Sequence, residues 1–269
     1  MSGKNMLNNQ EDGWKKSLLV SPRWRWMGGK LWHQMADSPL REKPPNPIQY
    51  AFVKFIYADQ NRSRAVRRQL QALMDGLSGD DIGLNIGSGQ VRFPGLVNLE
   101  IGDGPNTDII GFGTELPFMD NTVGLVILQE VLEHVDDFQQ LLAEVRRVLK
   151  PGGICYCQVP FQIGFHPGPY DFWRFSRQGL EYCFRGPGWK IERTHISLGH
   201  GSGFYRIAVE FIAVTASCLG RLFYKPAKLL AATVLYPFKL FDFLTEFSSE
   251  KDRIPAGYFC VASKLEDGR

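Results

Sequence analysis

A chain of 269 residues with 44% hydrophobic content can bury one substantial core and a small appendage, and a net charge of +3 is too mild to argue for nucleic acid. The charge is uneven: residues 1–70 carry about +8 and the remainder about −5, which suits a solvated helix face or, alternatively, a membrane or phosphorylated partner. Cys155, Cys157, Cys183, Cys218 and Cys260 are odd in number and lack zinc-type spacing, so reduced thiols in a cytoplasmic protein are expected and no metal ligands.

Residues 1–47 are rich in Trp, Lys, Asn and Pro and show no steady period. Trp14, Trp24, Trp26 and Trp32 argue against a purely solvated tail and predict a segment that wraps the core or lines a substrate pocket. From Asp59 to Leu77, Val66, Leu70, Leu73, Met74 and Leu77 fall at helical spacing, with Arg62, Arg64, Arg67 and Arg68 elsewhere on the cylinder. Apolar runs then predict strands at 82–86, 96–100, 107–110 and 124–128. A long helix follows, with Phe138, Leu141, Leu142, Val145, Val148 and Leu149 as its buried stripe. Asp136 or Asp137 serves as its N-cap, and Pro151-Gly152-Gly153 stops it. A fifth strand is expected at 154–159, then an irregular stretch at 160–170, a helix at 177–184, a strand at 190–196 and a last strand at 257–263.

Residues 203–247 are strongly apolar. Their longest uncharged runs, 211–220 and 229–238, are about ten residues each, against roughly twenty for a membrane span. Two or three helices packed on the sheet are expected, with peripheral membrane contact through 203–247 as the alternative.

Leu84-Asn85-Ile86-Gly87-Ser88-Gly89 ends an apolar run in glycines, and the next apolar run ends in a carboxylate, Glu100. Strand, glycine turn, strand and acid is how a doubly wound sheet builds a nucleotide pocket. Two further blocks follow in order. Leu116-Pro117-Phe118 precedes the fourth strand and Val131-Leu132-Glu133-His134-Val135 follows it; Arg147-Val148-Leu149-Lys150-Pro151-Gly152-Gly153 comes after. Together they resemble a class I S-adenosylmethionine-dependent methyltransferase of the type 11 group, over residues 82–159.

The resemblance implies an α/β fold: a Rossmann-like, doubly wound sheet of about seven strands, mostly parallel with an antiparallel last strand, and a helical insertion before that strand. The organisation expected is an N-terminal extension with a basic amphipathic helix (1–78), a core (79–202 with 255–265) and an apolar insertion (203–254). S-adenosylmethionine is the implied methyl donor. Gly87, Ser88 and Gly89 would approach its methionine and ribose portions, and Glu100 would hold the ribose hydroxyls. Thr114, Glu115 and Leu116 would lie beside adenine, with Gln129 near the sulfonium. The chain departs from the pattern in three places. About eleven residues separate Gly89 from Glu100, where a dinucleotide fingerprint expects about twenty, so no crossover helix fits. Phe112-Gly113 stands where an acid often bonds the adenine amino group, so Glu115 or a backbone contact must substitute. Gly124 replaces the aspartate common at the start of the fourth strand.

Methyl transfer from a sulfonium needs alignment, exclusion of water and sometimes removal of a proton. The segment 166–175 concentrates candidates: His166 as general base for an acceptor hydroxyl, with Asp171 and Arg174 positioning the acceptor. The alternative is a structural Asp171–Arg174 pair with His166 capping a turn. His134 is a second candidate, better suited to bonding backbone and orienting its loop. Glu130 and Glu133 fit solvated carboxylates at a helix start, while His33, His195 and His200 lack context. The acceptor expected is a small molecule, saccharide or lipid-linked group, methylated at oxygen, and the oligomeric state stays open. Two other functions compete. A nicotinamide-dependent oxidoreductase would share the glycine turn, but its third glycine is Arg92, and the Tyr-x-x-x-Lys pairs Tyr50–Lys54 and Tyr224–Lys228 lie outside the sheet core. A non-catalytic binding module is kept open by Phe112 and Gly124.

Overall fold

The computed structural model describes residues 13–19, 22–33, 63–89, 91–166 and 168–266; the expected helix start at 59–62 and the Tyr50–Lys54 pair lie outside them. In chain order the strands are β1 (Trp24–Met27), β2 (Lys30–His33), β3 (Ile82–Ile86), β4 (Leu96–Glu100), β5 (Ile109–Ile110), β6 (Val123–Gln129), β7 (Leu149–Pro160), β8 (Trp189–Leu198) and β9 (Gly257–Lys264). They form one sheet in the order β1-β2-β5-β4-β3-β6-β7-β9-β8. The central strands from β5 to β7 are parallel, and β9 runs antiparallel to both β7 and β8. The helices are α1 (Arg64–Asp75), α2 (Phe138–Val148), α3 (Arg177–Cys183), α4 (His200–Ser217) and α5 (Tyr224–Leu235).

Strand β6 reads Val-Gly-Leu-Val-Ile-Leu-Gln because both its faces are covered. Leu125 and Ile127 point to one face, where Val66 and Leu70 of α1 close a cluster with Tyr156 and Phe259. Val126 and Leu128 point to the other, against Leu141 and Val145 of α2 and Leu180 of α3. Ser63 caps α1 and Asp137 caps α2, each side-chain oxygen accepting a backbone N–H of the first turn.

Two strands exceed the seven expected. The tryptophan-rich segment forms the hairpin β1–β2, turning on Gly28 and Gly29 at φ +56° and +80°, a backbone open to glycine at no steric cost. Strand β2 then docks parallel to β5 at the sheet edge. Trp14 packs on Phe118, and Leu18 forms an isolated antiparallel bridge to Phe118.

Another difference concerns Pro151-Gly152-Gly153. α2 ends at Val148, and β7 begins at Leu149, opposite Val123. The Pro-Gly-Gly segment is an irregularity inside β7: pairing resumes at Leu125 with Ile154, and Gly152 takes φ +76°. Lys150 beside it pairs with Asp81, and a Cβ at Gly124 would lie 3.0 Å from the Asp81 side chain. Asp81 thus occupies the space that a side chain at 124 would need.

The 87–95 crossover between β3 and β4 holds no helix among its described residues. Asn85, buried in β3, substitutes for one: its Nδ2 donates to Val91 O (3.3 Å) and to Asn98 Oδ1 of β4 (2.9 Å). Val91 N–H closes the turn on Ser88 O at 2.8 Å.

The insertion differs from the helices-on-sheet arrangement expected. α4, α5 and a 3-10 segment, Tyr236–Phe247, pack chiefly on one another around Tyr205, Val209, Ala231 and Ala232. Asp242 ties the segment to α4 by accepting from Ser202 N (2.9 Å) and Ser202 Oγ (2.5 Å). Tyr224 and Lys228 both bind Glu210 inside this unit. Among the described residues, no helix is long and apolar enough to cross a membrane.

Candidate functional site at the strand carboxyl ends

The parallel register of β3 and β6 sets Ile86 beside Leu128, so the glycine turn and Gln129 emerge side by side. Gly87 has φ +65°, and a Cβ there would lie 2.6 Å from Val131 Cγ2; only glycine fits. At Gly89, φ +49°, a Cβ would meet nothing within 4 Å, so the turn has open space in front of it. Glu100 closes the turn from β4. Its Oε2 accepts the Gly89 N–H at 2.8 Å and its Oε1 the Ile101 N–H at 2.7 Å. Among the described residues, Ser88 Oγ and Gln129 Nε2 are buried here without a hydrogen-bond partner. Each such orphan costs about 1–3 kcal/mol, which a polar ligand in the turn recovers. The glycines, the orphaned polar atoms and the carboxylate together fit the nucleoside donor that the resemblance implies.

The 114–118 turn is fastened from α2. Arg147 donates to Leu116 O (3.0 Å), Phe118 O (2.7 Å) and the Glu144 carboxylate, while Glu144 Oε2 accepts the Leu116 N–H at 2.8 Å. Its carboxylate partners raise the Arg147 pKa, Glu144 foremost. Gln140 donates to Thr114 O at 3.4 Å. The resemblance left Glu115 to replace the missing adenine acid, but its carboxylate binds Arg23 (3.0 and 3.1 Å) and sits 3.3 Å from His33 Nε2. Both partners come from the N-terminal segment, so Glu115 anchors the hairpin. Phe112 and Trp24 pack edge-on against His33.

Two loops meet beyond β6 and β7. The 3-10 turn Leu132–His134 receives the 164–175 loop along its backbone: Phe172 N donates to Glu133 O at 2.7 Å and Trp173 Nε1 to Val135 O at 2.9 Å. His134 Nδ1 lies 2.5 Å from Tyr170 O. Asp171, with its side chain 1% exposed, accepts the His166 N–H at 2.8 Å and grips Arg174 through two contacts of 2.5 and 2.7 Å. That grip holds the Asp171 carboxyl at about 2. Arg174 also donates to Gly164 O at 3.0 Å. The two residues therefore form a clasp that shapes the loop and sets the His166 ring against that of His134, centroids 5.1 Å apart.

Glu133 is not a solvated helix-start carboxylate. It is fully buried, neither oxygen has a hydrogen bond, and burial pushes its pKa up to about 8. Its Oε1 lies 3.7 Å from His134 Nε2 and 3.8 Å from His166 Nε2. Burial lowers both histidine pKa values. Glu130 differs too: it is half-buried at φ +57°, and its Oε1 accepts from Gln158, which Tyr156 Oη bonds in turn. Spacing in the sequence did not reveal that Glu133, His134 and His166 converge. The available signal was an acid inside an apolar run, between Leu132 and Val135. The remaining histidines have partners elsewhere, His195 with Glu246 (2.9 Å) and His200 with Thr245 (2.9 Å). Arg92, at the third-glycine position, pairs with Asp108.

Residues 100–157 match the family model described as "Methyltransferase domain". The chain is 34% identical over 95 residues to the demethylmenaquinone methyltransferase of Bacillus pumilus, covering 34% of this chain and 38% of that one. It is 33% identical over 106 residues to a probable S-adenosylmethionine-dependent methyltransferase of Mycolicibacterium smegmatis, covering 37% and 41%. The match thus spans about two-fifths of the length of these relatives. Among solved structures, a SAM-dependent methyltransferase of Methanosarcina mazei aligns at TM-score 0.44 and 13% identity, covering 73% of this chain and 98% of that one.

Proposed function

Since the chain carries a class I S-adenosylmethionine-dependent methyltransferase domain of the type 11 family, we propose that it transfers the donor's methyl group to an oxygen of a small acceptor, lipid-linked or saccharide in nature. The observation that carries this reading is the glycine turn at the strand carboxyl ends, latched by Glu100 and flanked by the orphaned Ser88 and Gln129. When bound, the donor supplies a methyl group on a sulfonium that is already a good leaving group. The chain's own work is to align and to exclude water. Gly87–Gly89 admit the donor backbone-close, Glu100 accepts the ribose hydroxyls, and Gln129 flanks the transferring end. Thr114 and Leu116 border the adenine, with Glu115 behind them. His166 and His134 face the acceptor oxygen, and the Asp171–Arg174 clasp holds their loop in place.

The domain division follows from this chemistry: residues 79–202 with 255–265 form the catalytic core, and 1–78 extend it. The insertion, 203–254, presents the protein to a membrane surface in the cytoplasm. Phe211, Leu219, Leu222, Phe223 and Phe247 are exposed in this insertion, as are Arg221 and Lys225, a mixture of apolar and cationic side chains that suits an interface of anionic lipid. Lipid-linked acceptors would be met at that interface.

Calorimetric titration with S-adenosylmethionine, S-adenosylhomocysteine and NADH tests the donor. Saturable heat with the first two and none with NADH is expected. Absence of heat with either sulfur nucleoside overturns the reading. Flotation with anionic liposomes tests the surface, and protein left entirely at the bottom of the gradient removes the membrane contact.

A further inference from the structure

We propose that Glu133, His134 and His166 form a binding site for a first-row divalent metal cation at the carboxyl end of β6. The first support is the carboxylate. Glu133 is fully buried and neither of its oxygens has a hydrogen-bond partner. A buried acid is normally satisfied by donors or by a cation, and among the described residues no other residue donates a hydrogen bond to this one. What does reach toward it are two imidazole nitrogens, 3.7 and 3.8 Å from Oε1.

The second support is the tautomers. Tyr170 O, 2.5 Å from His134 Nδ1, can only accept, so Nδ1 carries the proton and Nε2 presents a lone pair. Around His166 Nδ1 stand Gly164 O at 3.3 Å and Asp171 Oδ2 at 3.5 Å, both acceptors, and these leave its Nε2 as a lone pair as well. Arg174 Nη2, 3.3 Å from that Nδ1, directs its N–H groups to Gly164 O and Asp171. Two lone pairs and a carboxyl oxygen thus converge, and the species that attracts all three is one that displaces the carboxyl proton. A cation is the species that does.

The third support is geometry. The three ligand atoms lie within 4.8 Å of one another. Bonds of about 2.0–2.2 Å to one cation place ligand atoms roughly 3.0–3.5 Å apart, so His134 and His166 would close on Glu133 by a few tenths of an ångström and on each other by up to about an ångström, a shift within reach of side-chain rotation. Two imidazoles with one carboxylate favour zinc, manganese, cobalt or iron(II) over magnesium or calcium, which prefer oxygen alone. The nearby positive charge of Arg174 is matched by Asp171. Three protein ligands leave coordination positions vacant, and the His166 side chain, 37% exposed, marks the open side. On the methyl-transfer reading above, an acceptor oxygen would enter there and, held on the cation, lose its proton to solvent at the open side before it takes the methyl group. Binding of the cation itself does not depend on that reading.

The test uses the full chain stripped with a chelator. Co2+ is titrated by visible d–d absorption and Zn2+ by calorimetry, and one saturable equivalent of each is expected. His166→Ala, at the exposed position, should weaken uptake at least tenfold while the melting temperature stays near that of the parent; Glu133→Gln should do the same if it folds. No saturable uptake of Co2+, Zn2+ or Mn2+ by the parent, or parental affinity in His166→Ala, overturns the site. A donor titration on the same stripped sample separates the two readings. Donor heat without metal uptake removes only the cation site, and metal uptake without donor heat removes only methyl transfer.

Discussion

The paired loops at 132–134 and 164–175 and the insertion at 200–247 both expose large aromatic residues, and they treat their polar groups in opposite ways. At the loops, Trp173 and Phe175 pack edge-on against Phe138 of α2, each at 5.4 Å between centroids, while Glu133 is fully buried with neither oxygen hydrogen-bonded among the described residues. In the insertion the polar groups are paired inside, as Glu210 is with Lys228 and Tyr224, and the aromatics face outward, with Phe247 83% exposed. A buried acid without donors is expensive unless a ligand uses it, and an apolar surface in water is expensive unless something covers it. On the function proposed above, the contrast separates a region suited to chemistry from one suited to docking.

Four experiments bear on that contrast. Glu100→Ala, at the strand-end site, should weaken S-adenosylmethionine binding by about tenfold to 150-fold, since one hydrogen bond to a charged group contributes about 1.5–3 kcal/mol; calorimetry on the folded variant checks this. Arg147→Ala leaves two carbonyls and Glu144 without their donor and should destabilise the core by about 2 kcal/mol, read by denaturant unfolding. Leu222→Ser with Phe247→Ser should weaken liposome binding by about tenfold or more through lost apolar transfer, yet leave stability within about 0.5 kcal/mol. A destabilised double variant would mean that these side chains serve the fold. The smallest effect is chemical: at neutral pH a thiol reagent should modify exposed Cys218 alone. Burial pushes Cys183 up to about 11 and Cys260 up to about 12, so their thiolates form only as the pH rises toward those values.

The sheet was legible where residues are buried on both faces. The predicted strands at 82–86 and 96–100 coincide with β3 and β4, because continuous apolar runs leave one solution there. The hairpin β1–β2 was not legible: Trp-Arg-Trp-Met and Lys-Leu-Trp-His are too short to show a period, and a glycine pair and the β5 edge define them. Pro151-Gly152-Gly153 looked like a helix stop since the same residues serve as a strand irregularity, and only pairing with β6 distinguishes the two. In the site, the sequence named His134, His166, Asp171 and Arg174 one by one, and the structure gathers them in one place. Glu133 was misjudged because its neighbours in sequence say nothing of the 164–175 loop that closes over it.

The short 87–95 crossover has a further consequence, for ligand selection. A helix starting at the glycine turn would aim a positive dipole end at the ligand and favour pyrophosphate, as in dinucleotide enzymes. Here the turn is held by Asn85 and latched by an anion, Glu100. The local potential therefore discriminates by charge: it disfavours a diphosphate bridge and tolerates a cationic sulfur. With no helix among the described residues of the crossover, the turn is expected to favour a cationic nucleoside over a diphosphate before any specific contact is made.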